Sequence, residues 1–171
     1  ADGQHARHPL IHRPRSEHDG ATPDAAGLAL LGLARLAALA ESTELEAFVS
    51  LALAESAPLL ERAPHAVPTL LRAVALRSRG LAVAVVIGDP ESADTRALAE
   101  RARRVLRPED AVIVSVPGVG PPNGVAADWL EGREAKGGRA TAYLCRGTSC
   151  SLPVQVPSEL VAELVPEDDA R

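Results

Sequence analysis

The chain has 171 residues, of which 46% are hydrophobic and 24% charged, a balance typical of a soluble globular protein. Its formal net charge of −5 argues against a nucleic-acid partner. Aromatic residues make up only 2%, which excludes an aromatic platform for sugars or bases and predicts an aliphatic core.

The first 18 residues are polar and basic, and they predict a disordered lead. His8 and His12 have the spacing of one helix face, but Pro9 lies between them, so we predict no metal site there. No apolar run reaches the roughly 20 residues of a membrane span, and no signal peptide is visible, so we expect no membrane contact and a cytoplasmic location. The absence of methionine leads us to expect a fragment or a mature subunit.

Residues 19–79 predict a helical segment of three helices. The first spans about residues 24–40 and is apolar on nearly every side, which is typical of a helix packed against several neighbours. The second spans about residues 43–62, and Pro58 is expected to kink or break it. The third ends at Gly80.

Residues 80–165 predict a small three-layer α/β unit. Its predicted elements are strands at 81–87, 111–116 and 141–145, a helix at 92–106, an edge strand near 152–156 and a closing helix near 158–164. The first strand, helix and second strand have the spacing of a right-handed βαβ unit, so we expect a mainly parallel sheet. An acidic tail follows at 166–171. The predicted fold class is therefore mixed α/β, with a helical segment followed by this unit.

The only two cysteines, Cys145 and Cys150, flank a predicted turn that would let a disulfide form between them. A redox pair favours Cys-x-x-Cys spacing at a helix start. A zinc site needs about four ligands, and the nearest histidine in sequence is His65. Structural thiols, a structural disulfide, and redox or metal chemistry stay open, in that order of preference.

Two other places could carry chemistry. The turn formed by Gly88, Asp89 and Pro90 follows a strand and precedes a helix, where open α/β sheets bind ligands, although an N-cap role for Asp89 is the simpler interpretation. Asp19 and His18 are the weak candidates for a general acid or base, because nothing in the sequence holds a pair of carboxylates across a cleft.

The long segment at residues 117–139 is predicted to be a loop. Its glycines, at 118–124, are not followed directly by the helix that a phosphate loop needs. Its charged residues near Trp129 are expected to lie on the surface of the loop without a functional role; they are Glu131, Arg133 and Lys136.

Four stretches of the chain form a pattern in their order and spacing. They are Asp19-Gly20-Ala21-Thr22-Pro23, Pro58-Leu59-Leu60 with Ala63-Pro64-His65-Ala66-Val67-Pro68, Val85-Val86-Ile87-Gly88-Asp89-Pro90 with Asp94-Thr95, and Leu130-Glu131-Gly132-Arg133 with Thr141 through Leu160. Together they resemble the C-terminal third of the spermatogenesis-associated, thioredoxin-domain-containing proteins and their bacterial relatives. The resemblance covers about residues 12–164.

The resemblance implies a larger parent with a thioredoxin-like domain and an (α/α) toroid like that of six-hairpin glycosidases and sugar epimerases. This chain would be the last toroid helices with an appended α/β unit. Cys145 and Cys150 would match the family's C-terminal pair and not its redox motif. After Pro23 the family typically has Ser-Gly-Asn, whereas this chain has Asp24-Ala25-Ala26, which removes a hydroxyl and an amide expected on the toroid's inner side.

We therefore expect a structural and interaction portion that binds no cofactor and is not catalytic by itself. Its expected partners are the upstream toroid and thioredoxin-like domains, or a second copy of the chain. One alternative is the wall of a carbohydrate-processing site completed by upstream domains, with Asp19 and His18 as candidate catalytic residues. A second is a ligand-binding α/β module that uses the turn at residues 88–90.

Overall fold

The computed structural model describes residues 18–162 and Val165. The polar lead before His18, with His8 and His12, and the acidic tail lie outside the described residues. The helices are α1 (Ala25–Ala40), α2 (Thr43–Glu55), α3 (Ala57–Arg62), α4 (Pro68–Arg79) and α5 (Ala93–Val105), and the strands are β1 (Ala82–Ile87), β2 (Ala111–Ser115), β3 (Thr141–Arg146) and β4 (Ser149–Cys150). Short 3₁₀ turns lie at Pro64–Ala66, Ala127–Trp129, Lys136–Gly138 and Pro157–Glu159.

The four strands form one sheet in the order β2-β1-β3-β4, which follows the first four helices along the chain. The predicted mixed α/β class is confirmed. The sheet itself is mixed and not mainly parallel: β1 and β2 are parallel, whereas β3 is antiparallel to both β1 and β4. The reason is the loop before Thr141, which returns to the sheet end at which β1 stops, so that Thr141 pairs with Ile87 and β3 runs back.

The central strand β1 is buried at every position and separates two clusters of core residues. Val83, Val85 and Ile87 pack with residues of α1, α2 and α4. Ala82, Ala84 and Val86 pack with residues of α5. Because both faces of the strand are covered, its sequence is continuously apolar, as predicted for such a strand.

The predicted break at Pro58 is confirmed. The helix expected over residues 43–62 is divided at Ser56 into α2 and α3, and Pro58 lies in the first turn of α3. The Ser56 hydroxyl donates to the carbonyl of Ala52 at 2.8 Å. A proline is tolerated in a first helical turn because the amide there needs no intrahelical acceptor.

The end of the chain is less regular than expected. The edge strand predicted near residues 152–156 is reduced to a single bridge between Ala142 and Val154, and β4 precedes it. In place of the predicted closing helix, the described residues contain a 3₁₀ turn at Pro157–Glu159. Leu160 follows this turn and is fully buried in the core cluster on the α5 face of the sheet.

Candidate functional site

The β3–β4 hairpin brings the two cysteines together. Cys145 and Cys150 are opposite one another in the strand register, their Cα atoms are 4.0 Å apart, and their sulfurs are bonded. Gly147 makes the turn between them with a φ of 54°, in the left-handed region that glycine adopts without steric cost. Cys145 is fully buried, whereas Cys150 is half-buried. The two sulfur atoms therefore lie in different surroundings.

Arg133 lies against this disulfide. Its guanidinium group donates to Cys150 Sγ at 2.8 Å, and also to the carbonyls of Asp128 at 2.7 Å and Glu131 at 2.5 Å. The two backbone contacts fix the guanidinium group beside the sulfur. The sequence predicted only a loop position for Arg133, since no local pattern relates it to a cysteine 17 residues further on.

A groove of about 480 Å³ opens beside the hairpin, where the carboxyl end of α1 meets the amino end of β1. It is lined by Ala38, Glu41, Gly80, Leu81, Asp128, Trp129, Glu131, Arg133, Arg146, Gly147 and Thr148. The amide of Ala126 donates to the carbonyl of Leu39 at 2.8 Å, which holds the long loop against α1. The groove thus combines two arginines, three carboxylates and the only tryptophan.

Two nitrogen atoms of the groove residues have no hydrogen-bond partner. Trp129 is 6% exposed, and its Nε1 is buried without an acceptor. The Nε of Arg146 is likewise buried and unpartnered. Buried donors are nearly always paired in folded proteins, because an unpaired one loses its hydration without replacement. Each of these two nitrogens therefore lacks the acceptor that a buried donor ordinarily has.

The predicted ligand turn at the end of β1 is closely packed. The amide of Gly88 donates to the carbonyl of Ser115 at 2.9 Å. A Cβ at Gly88 would lie 2.3 Å from Thr95 Oγ1, so this position requires glycine. Asp89 and Pro90 are exposed. Glycine serves here to let α5 approach the strand end.

Asp89 does not cap α5. The N-cap is Ser92, whose hydroxyl oxygen accepts from the amide of Thr95 at 3.1 Å. Asp89 instead accepts from the amide of Glu91 at 2.9 Å and stabilises the turn that precedes the helix. The N-cap interpretation of Asp89 is therefore wrong, because three further residues separate it from the first helical amides.

Asp19 connects the starts of α1 and α4. One carboxylate oxygen accepts from the amide of Asp24 at 2.6 Å and the other from the amide of Thr69 at 2.7 Å. The amide of Thr69 and then that of Asp24 hold the pKa of Asp19 below its ordinary value, since both bonds stabilise the charged form. His18 is exposed beside it. Both oxygens of this carboxylate are thus used within the fold.

Across residues 18–162, no three histidine, cysteine or acidic side chains are grouped so that they could hold a metal ion. Among the described helices, none combines the length and the apolar character needed to cross a membrane.

No protein-family model matches the chain, and no solved structure matches it. The chain is similar to spermatogenesis-associated protein 20 of Rattus norvegicus and of Homo sapiens, with 29% identity over 152 residues in each case, and to that of Mus musculus, with 28%. The match covers 86% of this chain and 19% of each relative. The chain thus spans about a fifth of the length of these relatives. The similarity supports the resemblance to the spermatogenesis-associated proteins.

Proposed function

We propose that this chain is the C-terminal portion of a larger thioredoxin-domain-containing protein, to which it contributes packing and an interaction surface. The supporting comparison is a match that covers 86% of this chain but 19% of each relative. In the proposed parent, α1 to α4 are the last helices of an (α/α) toroid. Upstream toroid helices then lie against their outer side.

The observation that carries the proposal is a set of four exposed, large apolar side chains on α1 and α2, which are Leu28, Leu36, Phe48 and Leu51. Their exposed fractions are 46%, 51%, 55% and 64%, respectively. Phe48 and Leu51 are three residues apart and so are neighbours on the surface of α2. Single exposed apolar residues are common, but large ones on two packed helices indicate a contact surface. Apolar helices of the parent protein fit such a surface.

The geometry at Asp19 favours this function over the alternative of a carbohydrate-processing wall. A general acid or base must exchange its proton with the substrate and works best with a pKa near the working pH. Asp19 instead has a lowered pKa, and its oxygens accept from the amides of Asp24 and Thr69. Its chemistry suits a structural link better than proton transfer.

The test replaces Phe48 and Leu51 with glutamate and measures size by chromatography with light scattering, alone and with the upstream domains of the parent. We expect the wild-type chain to self-associate or to bind those domains, and the double variant to remain a lone monomer. The matched control is Leu152→Glu, since Leu152 is 84% exposed but lies outside α1 and α2.

Two results would contradict the proposal. One is a wild-type chain that stays monomeric and does not bind the upstream domains, which would indicate an independent role. The other is a double variant that associates as the wild type does. The free energy of unfolding of the variants should differ from wild type by no more than about 0.5 kcal/mol, because the changed side chains are at the surface.

A further inference from the structure

We propose that Cys145 and Cys150 form a thiol–disulfide exchange site whose co-reactant is a small disulfide of the amino-acid type. Cys150 is the nucleophile, Cys145 is the resolving cysteine, and Arg133 stabilises the Cys150 thiolate. The groove beside the hairpin binds the co-reactant. This inference is independent of the docking role proposed for α1 and α2.

The different burial of the two sulfurs assigns their roles. Cys145 is 0% exposed and belongs to the core between the sheet and the first helices. Cys150 is half-buried on the edge strand β4, so it is the more exposed cysteine of the pair. An accessible thiol reacts first with an external disulfide, and a buried thiol opposite it can only complete the exchange.

Arg133 supplies the positive charge that a reactive cysteine needs. A disulfide sulfur is a weak hydrogen-bond acceptor, whereas a thiolate is a charged one, so the contact of Arg133 with Cys150 Sγ strengthens on reduction. The carbonyls of Asp128 and Glu131 already fix the guanidinium group in place. Cation proximity thus raises the thiolate fraction of Cys150 without the Cys-x-x-Cys spacing.

The groove residues indicate the class of co-reactant. Arg133 lines the groove and donates to Cys150 Sγ, so this one side chain connects the groove to the sulfur, which is not itself on the lining. Arg146 lines it too, and a guanidinium group is the side chain best suited to pair with a carboxylate. Three carboxylates on the same lining suit an ammonium group; they are Glu41, Asp128 and Glu131. A small disulfide that carries both a carboxylate and an ammonium group is a disulfide of the amino-acid type.

The reaction balances as two exchanges. The Cys150 thiolate attacks one sulfur of the disulfide R–S–S–R, which forms the Cys150–S–S–R bond and releases R–S⁻. The Cys145 thiol loses its proton to water and attacks Cys150 Sγ, which forms the Cys145–Cys150 bond and releases the second R–S⁻. Two electrons pass from the dithiol to the co-reactant. A small thiol drives the reverse sequence, and the strand register keeps both sulfurs within reach.

The first experiment identifies the nucleophile. The reduced, full-length chain carrying Cys145→Ser is incubated with glutathione disulfide, and its mass is measured under non-denaturing conditions and after digestion. We expect one glutathione adduct on Cys150, and a much slower adduct on Cys145 in Cys150→Ser. Equal adduct formation in the two variants, or none on Cys150, would overturn the proposal.

A second measurement needs no change at Arg133. The alkylation rate of Cys150 in the Cys145→Ser variant is followed against pH with iodoacetamide. We expect a half-maximal rate clearly below about pH 8.5, the value of an ordinary cysteine. A midpoint at or above that value would mean that the guanidinium group does not stabilise the thiolate, and the proposal would fail.

The third experiment separates Arg133 from Arg146 with two probes at about pH 7: glutathione disulfide, which carries carboxylates, and cystamine, which does not. Arg133→Gln should slow both reactions about threefold, because a lower thiolate fraction is partly offset by higher nucleophilicity. Arg133→Lys should restore most of the rate. Arg146→Gln should slow glutathione disulfide about tenfold and leave cystamine unchanged.

The matched control is Arg103→Gln, an exposed arginine on α5 that should leave both rates at the wild-type level. Equal slowing of the two probes by Arg146→Gln would remove the carboxylate-binding role. Wild-type rates in Arg133→Gln would remove the thiolate-stabilising role.

Discussion

Asp19 shows how one carboxylate can organise two helix starts. It lies before α1, yet one of its oxygens accepts from the amide of Thr69, 50 residues away. The amides at helix starts have no intrahelical acceptor, so a carboxylate there satisfies their hydrogen bonds. Its negative charge also interacts favourably with the positive end of the helix dipole. From the sequence, Asp19 is only a candidate general acid or base. The residues around it cannot show that it accepts a hydrogen bond at the start of a helix 50 residues away.

The lowered pKa of Asp19 leads to a pH-dependent prediction. Its ordinary value is 3.8, and the amides of Thr69 and Asp24 depress it in the folded state. Its contribution to stability is therefore fully present above pH 3.8 and is lost as the pH falls through the lower, folded value. Asp19→Asn should lower the free energy of unfolding at neutral pH, and the difference from wild type should shrink below pH 3.8. Urea unfolding across that range measures it.

Two comparisons make this prediction specific. Glu61→Gln, at an exposed position of α3, should change little at either pH. Glu109 also has a lowered pKa: burial raises it, but the hydrogen bond from Arg72, a backbone hydrogen bond and the positive charges of Arg72 and Arg79 together outweigh burial. Glu109 is present in wild type and variant alike, so it cancels from their difference. A difference that grew as the pH fell would contradict the role assigned to Asp19.

At the level of elements, local patterns predicted most of the fold. The apolar run of β1, the amphipathic pattern of α5 and the break at Pro58 depend on near neighbours in sequence, and each is confirmed. The direction of β3 depends on the route of a long loop, which no periodicity encodes. The same limit applies to Arg133, whose contact with Cys150 exists only once the loop and the hairpin meet.

The crossing of α1 and α4 provides a prediction with an internal control. Gly27 is buried there, and a Cβ on it would lie 3.2 Å from the backbone nitrogen of Leu70 and 3.2 Å from Thr69 Cγ2. Gly32, on the same helix, has no atom within 4 Å of such a Cβ. The two glycines therefore share a helix but differ in the space around them.

Alanine should act in opposite directions at these positions. Gly32→Ala should raise the free energy of unfolding by about 0.5–1 kcal/mol, because alanine loses less backbone entropy in a helix. Gly27→Ala should lower it by about 1 kcal/mol or more, since the neighbouring backbone cannot move aside easily. Urea unfolding of the two variants measures both. Stabilisation by Gly27→Ala would mean that the helices separate at little cost.

At the scale of the whole molecule, Asp110 links the helical layer to the sheet. Its side chain is 3% exposed, and it accepts from Arg79 Nη1 at 2.7 Å and from the amide of Ala82 at 3.1 Å. Its backbone carbonyl accepts from Arg35 Nη2 at 3.2 Å. The end of α4, the start of β1 and the middle of α1 therefore meet at one residue. Sequence analysis did not identify it, because Asp110 there looks like an ordinary turn residue before β2.

Removing this carboxylate should weaken the whole fold. Asp110→Ala leaves the guanidinium of Arg79, which is 17% exposed, without its carboxylate partner and with the carbonyl of Gly80 as its remaining acceptor. It also leaves the amide of Ala82 without the carboxylate oxygen that it donates to. Because breaking one half of a buried pair leaves the other half uncompensated, we expect the free energy of unfolding to fall by about 3 kcal/mol. Glu100→Ala removes an exposed partner of Arg104 and should cost no more than about 0.5 kcal/mol. Equal losses in the two variants, measured by urea unfolding, would show that the helices and the sheet are held by apolar packing alone.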